Sequence, residues 1–197
     1  MKHIKEERTL VLVKPDGVMR GLMGEVISRI ERRGLKVIAL KMVQVDKEHL
    51  EKHFPSDPEW IKRLGTKTMK TFDDYGINPL DHYESNDLSH IGGKVRESLF
   101  EYMVSGPIVA VVVEGTHAID MVRKVAGNTL PVFADMGTIR GDYSVDSPAT
   151  ANIEGRAIKN IMHASENPEE ANNEIALWFE KAELHSYKRA EEDIAFS

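Results

Sequence analysis

The segment Asn160–Glu166 (NIMHASE) holds the residue combination best suited to chemistry. On an extended strand side chains alternate with a period of two, so Ser165 projects on the same side as His163. A helix beginning at Pro168 brings Glu174 back along that strand. A carboxylate that accepts a bond from one imidazole nitrogen sets the tautomer and leaves the other nitrogen as a nucleophile. A histidine hydrogen-bonded in the core satisfies the same pattern, so this trio alone decides nothing. Cations supply the second group. Arg140 lies between Gly137 and Gly141 in a loop that lets backbone approach a ligand closely. Arg123 lies on the preceding helix, Thr129 at the start of the loop, and Lys14 at the end of a strand followed by Pro15-Asp16-Gly17. If Lys14, Arg123 and Arg140 converge they form a pocket for a polyanion, with the guanidinium groups offering forked donors to phosphate oxygens. Taken singly, each reads as a solvated surface charge.

Other patterns carry less. Gly65-Thr66-Lys67-Thr68 has the wrong order for a phosphate-binding loop, Gly93-Lys94 is followed by Val95, and neither follows a buried strand. His49 and His53 are four apart on a helix and could face one metal ion, but no third ligand is evident, and two exposed or half-buried histidines explain them as well. His3, His82, His90, His117 and His185 lie in polar or terminal segments without an obvious partner.

The elements that position these residues follow from periodicity and punctuation. Thr9–Val13 reads as a buried strand, ended by a turn at Pro15-Asp16-Gly17. Apolar residues from Leu22 to Ile30 fall on one helix face, with Gly34 as the cap. Leu35–Val45 reads as a strand and Lys47–Phe54 as a short helix. Pro55–Lys94 is polar and holds helical fragments such as Glu59–Thr71. A stripe through Leu88, Ile91, Val95, Leu99 and Tyr102 is helical but interrupted by Gly92-Gly93. Ile108–Val113 is apolar on both faces and reads as a central strand. His117–Ala126 is a helix, Asn128–Ala151 a long loop, Asn160–Ser165 a strand. Asn167-Pro168-Glu169-Glu170 is a strong helix start. The charged tail Lys181–Ser197 contributes little core. The order β-α-β-α, an insertion, then β-α-loop-β-α implies an α+β fold: a ferredoxin-like sandwich with a small antiparallel sheet, helices on one face, and a mostly helical insertion.

Composition sets the outer bounds. The chain has 197 residues, enough for one domain with a substantial core. Its 41% apolar and 29% charged content suits a globular protein. A net charge of −6 argues against a general nucleic-acid coat. Cysteine is absent, which removes disulfides and thiolate chemistry. No apolar run reaches the roughly 20 residues needed to cross a bilayer, so no membrane association is expected. Met1–Thr9 is charged, and the expected location is cytoplasmic.

Together these pieces resemble the nucleoside diphosphate kinase family. The resemblance rests on Glu7–Val18 (ERTLVLVKPDGV) with Arg20-Gly21-Leu22, and on Ser105-Gly106-Pro107 and Gly127-Asn128-Thr129. It continues through Gly137–Asp142, Asn160–Glu166 and Glu174–Phe179. It spans the chain except Pro55–Lys94 and part of Ser144–Gly155. It therefore implies one domain over 1–197 with an insertion at about 55–94 and a smaller one at about 144–155. It implies that His163 is the phosphate-accepting histidine and that Ser165 and Glu174 support it. Lys14, Arg123, Thr129, Arg140 and Asn160 would hold the nucleotide's phosphates and sugar. The implied reaction is ping-pong transfer of a γ-phosphoryl group between nucleoside di- and triphosphates. Mg²⁺ would be bound mainly through nucleotide phosphates, and the assembly would be a homo-oligomer, hexamer or tetramer. Two positions depart from the pattern: Phe54 replaces a tyrosine usual near the histidine, and Val95 aligns nearest the base-stacking aromatic. These departures motivate an alternative, a non-catalytic nucleotide-binding interaction module.

Overall fold

The computed structural model describes residues 6–190 and Glu192; His3 and the end of the tail lie outside these. The elements run β1 (Glu7–Val13), α1 (Pro15–Met19), α2 (Met23–Arg32), β2 (Lys36–Val43), α3 (Lys47–His53), α4 (Pro58–Tyr75), α5 (Leu80–Tyr83), α6 (Leu88–Val104), β3 (Ile108–Gly115), α7 (Ala118–Ala126), α8 (Ile139–Tyr143), α9 (Pro148–Ile153), β4 (Met162–Ala164) and α10 (Pro168–Trp178). The sheet order is β2-β3-β1-β4, and every pairing is antiparallel. This is the expected ferredoxin-like α+β arrangement.

Helices cover both faces of the sheet rather than one, because β1 and β3 carry consecutive apolar residues. Leu10 and Leu12 point into one core with Leu50, Phe100, Met103 and Trp178. Val11 and Val13 point into the other with Val26, Ile30, Val122 and Ile139. Each such fully buried aliphatic side chain contributes about 1.5–3 kcal/mol of transfer free energy. α3, α4, α6 and α10 start at Asp46, Asp57, Asp87 and Asn167. Each of these side chains accepts a bond from the backbone N–H three residues on, at 2.7–2.9 Å.

Four local expectations change. Pro15-Asp16-Gly17 opens a helical turn, with Pro15 at its first position. Gly92-Gly93 does not interrupt α6. Gly65 and Gly92 sit where α4 crosses α6, and a Cβ added at either would stand 1.9 Å from a carbonyl oxygen, of Leu88 and Ile61 respectively. These glycines let two backbones touch, which also accounts for Gly65 without any phosphate. The stretch expected as a loop holds α8, α9 and a 3₁₀ turn at Pro131–Phe133, each too short to show a period. The first part of the tail is tied down: Leu184 packs on the core, His185 N donates to Ile38 O (2.8 Å) and Tyr187 Oη to Val37 O (2.7 Å). These bonds fall where β2 slips register against β3 between Val37 and Ala39.

Candidate active site

The strand expected at Asn160–Ser165 is pairing-competent only over Met162–Ala164, because Ile161 adopts φ 71°. A β-branched residue in the left-handed region is strained and needs to be held from outside. Here the hold is double. Ile161 N donates to Asp16 Oδ2 (3.2 Å), and Ile161 O accepts from Lys14 N (2.8 Å). Asp16 is buried and is gripped in turn by the Tyr102 hydroxyl. Burial, then the neighbouring Asp16 carboxylate, pushes the Tyr102 phenol well above its ordinary range, so it stays a proton donor.

This bend brings Asn160 to the end of β1. Lys14 Nζ donates to Asn160 Oδ1 at 2.7 Å, and Asn160 Nδ2 donates to Thr129 O at 2.8 Å. Arg140, on α8, is buried. Its guanidinium donates to three backbone carbonyls: Asn160 O (3.1 Å), Gly127 O (2.7 Å) and Met162 O (2.7 Å). It thus stitches the Gly127 turn to the strand that carries His163. Burial, then repulsion from Arg123, lowers its pKa to about 10. Lys14 is buried as well, and desolvation, then Arg140, brings its pKa down to about 7.

His163 pairs with Leu12 across β1–β4. Its Nε2 lies 2.7 Å from Glu174 Oε1, on α10. The contact is close, and Nε2 is buried. Ser165 Oγ donates to Glu174 Oε2 at 2.6 Å and accepts from Leu10 N at 3.1 Å, so the carboxylate is oriented from its other oxygen. Burial alone would raise the Glu174 carboxyl. The bond and charge of His163, then His53 and Ser165, outweigh it and hold the group below the usual range. Nδ1 is the ring nitrogen that this arrangement leaves for a reacting partner.

Arg123 and Thr129 are both exposed. Arg123 reaches Glu166 at 3.6 Å. A cavity of about 540 Å³ is walled by Arg123, Thr129, Arg140 and Ala164, the residue after His163. Lys14, Asn160 and His163 lie outside those walls and join them through the Arg140 and Asn160 bonds. The eight expected site residues therefore fall into two linked groups, a cation-lined cavity and a histidine–carboxylate–hydroxyl set.

Sequence reasoning missed His53. Its side chain is 1% exposed, and its ring sits edge-on to His163 with centroids 5.1 Å apart. Nδ1 of His53 accepts from Trp178 Nε1 at 3.3 Å and lies 3.5 Å from Glu174 Oε1. Burial, then the charge of His163, lowers its pKa to about 3 and keeps it neutral. The spacing to His49 was the only signal, and it pointed elsewhere: His49 packs on Trp178, with ring centroids 4.6 Å apart. Phe54 packs half-buried between His53 and Phe100, and Val95 is half-buried on α6.

The family model described as nucleoside diphosphate kinase matches residues 7–60 and 80–184. A nucleoside diphosphate kinase of Pyrobaculum aerophilum is 47% identical over 90% of this chain and 97% of its own length. Among solved structures, an NDP kinase from Pyrobaculum aerophilum superposes with a TM-score of 0.88 at 44% identity, covering 92% of this chain and all of that one. A transition-state mimic of the Borrelia burgdorferi nucleoside-diphosphate kinase, with bound vanadate and ADP, gives 0.74 at 38% identity and covers 94% of each chain. The motifs, the sheet order and these similarities agree from one end of the match to the other, and the chain belongs to the nucleoside diphosphate kinase family.

Proposed function

We propose that His163 carries the phosphoryl group between nucleotides, and that the residues around it act as the resemblance implied. The supporting observation is the contact of His163 Nε2 with the buried Glu174 carboxylate, which leaves Nδ1 as the nucleophile. In the first half-reaction Nδ1 attacks the γ-phosphorus of a nucleoside triphosphate. An N–P bond forms as the bond to the β-bridging oxygen breaks, and the diphosphate leaves with that electron pair. The second half-reaction reverses this onto another nucleoside diphosphate. Phosphoryl transfer needs positioning and charge neutralisation more than covalent help. Lys14, Arg123 and Arg140 neutralise the phosphates, while Thr129 and Asn160 fix the sugar and phosphates in register. Glu174 offsets positive charge on the ring as the N–P bond forms.

Mg²⁺ fits this site as an ion carried by the nucleotide. The one close trio of metal-ligating side chains among the described residues is His53, His163 and Glu174, a nitrogen-rich set unsuited to a hard cation. When bound, the ion supplies neutralisation of β- and γ-phosphate oxygens. One domain with elaborations at 55–94 and 144–155 completes the reading, supported by the packing of α9 on α4. A cytoplasmic enzyme assembled as a hexamer or tetramer is part of the same reading.

The test is direct. Incubation with γ-labelled ATP and Mg²⁺ should yield an acid-labile, alkali-stable phosphoryl group that maps to His163. If the His163→Gly protein exchanges phosphate between nucleotides at the parental rate, the assignment fails.

A further inference from the structure

We infer that Asp16 and Tyr102 are positioning residues for phosphoryl transfer: as a buried pair they hold the turn at Ile161, and that turn sets the spacing between the nucleophile on His163 and the nucleotide-holding end at Asn160. This rests on the reading of His163 as the phosphoryl acceptor. On an unbroken strand Asn160 and His163, three residues apart, would project to opposite faces. Both can serve one nucleotide only if the alternation breaks between them, and the break is at Ile161. Met162 N donates to Asn160 O at 2.8 Å across it, and Ile161, at the centre, has φ 71°. This is a γ-turn of the rare, strained hand, in a β-branched residue that by type prefers a strand.

A turn of this kind persists only where its surroundings over-determine it. Downstream, His163 is fixed by its pairing with Leu12 and its contact with Glu174. Upstream, Asn160 is fixed by Lys14 Nζ and Thr129 O. Arg140 ties together the carbonyls on either side, Asn160 O and Met162 O. The central N–H is left to Asp16, whose Oδ2 accepts it at 3.2 Å. Asp16 Oδ1 accepts from the Tyr102 hydroxyl. Both residues are buried, and a carboxylate out of water is costly unless its oxygens are bonded. Loss of the hydroxyl therefore leaves Oδ1 bare and frees the carboxylate to turn away from Ile161. The tyrosine ring has a separate contact: Lys14 Nζ stands over it, 5.7 Å from the centroid. Removing the hydroxyl alone perturbs the turn without taking the ring from Lys14.

The consequence for chemistry is one of register. The attacking nitrogen has to stand in line with the bond that breaks, and a misplacement near 1 Å costs about 100-fold in rate. The pair acts through Ile161 and not on the reacting atoms. Its loss leaves His163 chemically competent and the phosphate-binding cations in place, and shifts one against the other. The result is a split: a lower rate at saturation, with nucleotide affinity little changed.

The experiment follows phosphohistidine formation in single turnovers of the full chain with two donors. One is ATP with Mg²⁺. The other is phosphoramidate, which needs no nucleotide site and loses ammonia as its phosphoryl group passes to Nδ1. In Tyr102→Phe the rate from saturating ATP should fall about 10- to 100-fold, with ADP affinity within about threefold of parental. The rate from phosphoramidate should stay parental in the same preparation, which also shows that the variant is folded. Asp16→Ala should lose at least as much with ATP. Asp16→Asn should recover most of that loss, since an amide can accept from Ile161 N and donate to the Tyr102 oxygen. Both Asp16 variants remove the charge that faces Lys14, so the difference between them reads the bonds alone. A parental rate from ATP in Tyr102→Phe, an equal fall with both donors, or no recovery in Asp16→Asn would each overturn the positioning role. If the unaltered protein takes phosphate at His163 from phosphoramidate but not from ATP, the catalytic reading fails instead.

Discussion

Raising the pH from 7 to 9 should weaken ADP binding by about 50-fold, through Lys14 alone. Burial and Arg140 lower this lysine from 10.5 to about 7 in the empty protein. The folded empty site thus releases a proton that the unfolded chain would keep, and a phosphate ligand has to restore it. A drop from 10.5 to about 7 corresponds to about 5 kcal/mol, which sets the most that a pyrophosphate can recover by recharging the amine. If the bound lysine returns to its ordinary range, apparent affinity falls as 1 + 10^(pH − 7), giving about 6-fold between pH 7 and 8 and about 50-fold between 7 and 9. Arg140, at about 10, keeps its charge across most of this window, and Asp16 stays beside Lys14 as its partner. Isothermal titration in buffers of differing ionisation enthalpy reads the linked proton directly. Uptake should approach one proton per ADP at pH 9. Lys14→Met should bind weakly with no uptake and a flat profile. Constant affinity of the unaltered protein from pH 7 to 9 with no proton uptake would refute the argument.

Two further outcomes follow from the same geometry. Glu174→Gln keeps the shape but removes the charge facing His163, a loss of about 1.5–3 kcal/mol, so rapid-quench measurement of phosphohistidine formation should show a rate roughly 10- to 150-fold lower; an unchanged rate sinks the supporting role. Gly92→Ala forces a Cβ to 1.9 Å from the Ile61 carbonyl and should cost about 3 kcal/mol or more. Gly93→Ala meets nothing within 4 Å and should instead gain up to about 1 kcal/mol; thermal unfolding of the pair decides, and equal effects would contradict the α4–α6 crossing.

The frame was legible from sequence wherever packing agreed with local preference. Thr9–Val13 and Ile108–Val113 are apolar runs that make sense only as inner strands, and β1 and β3 lie at the centre of the sheet. Asn167 and Glu170 announced the start of α10, and Asn167 caps it. Legibility ended where a residue answers to something distant. Gly92 looks like a helix breaker along the chain, yet its reason is the Ile61 carbonyl on another helix. Ile161 belongs by type in a strand, but Asp16 and Lys14, far back in sequence, pull it into the left-handed region. His53 has neighbours on its own helix that say nothing of Glu174 or His163. The glycine-flanked loop points to Arg140 as a phosphate donor; that three of its N–H groups serve backbone carbonyls depends on where Asn160, Gly127 and Met162 fold.

One contact has a bearing on how the chain can be recombined. α9 leans on α4, and Ser98 Oγ on the neighbouring α6 donates to Gly155 O at 3.1 Å. The stretches at about 55–94 and 144–155 thus meet in one place. A chimaera that exchanges one of these stretches has to carry the other with it or lose the contact between them.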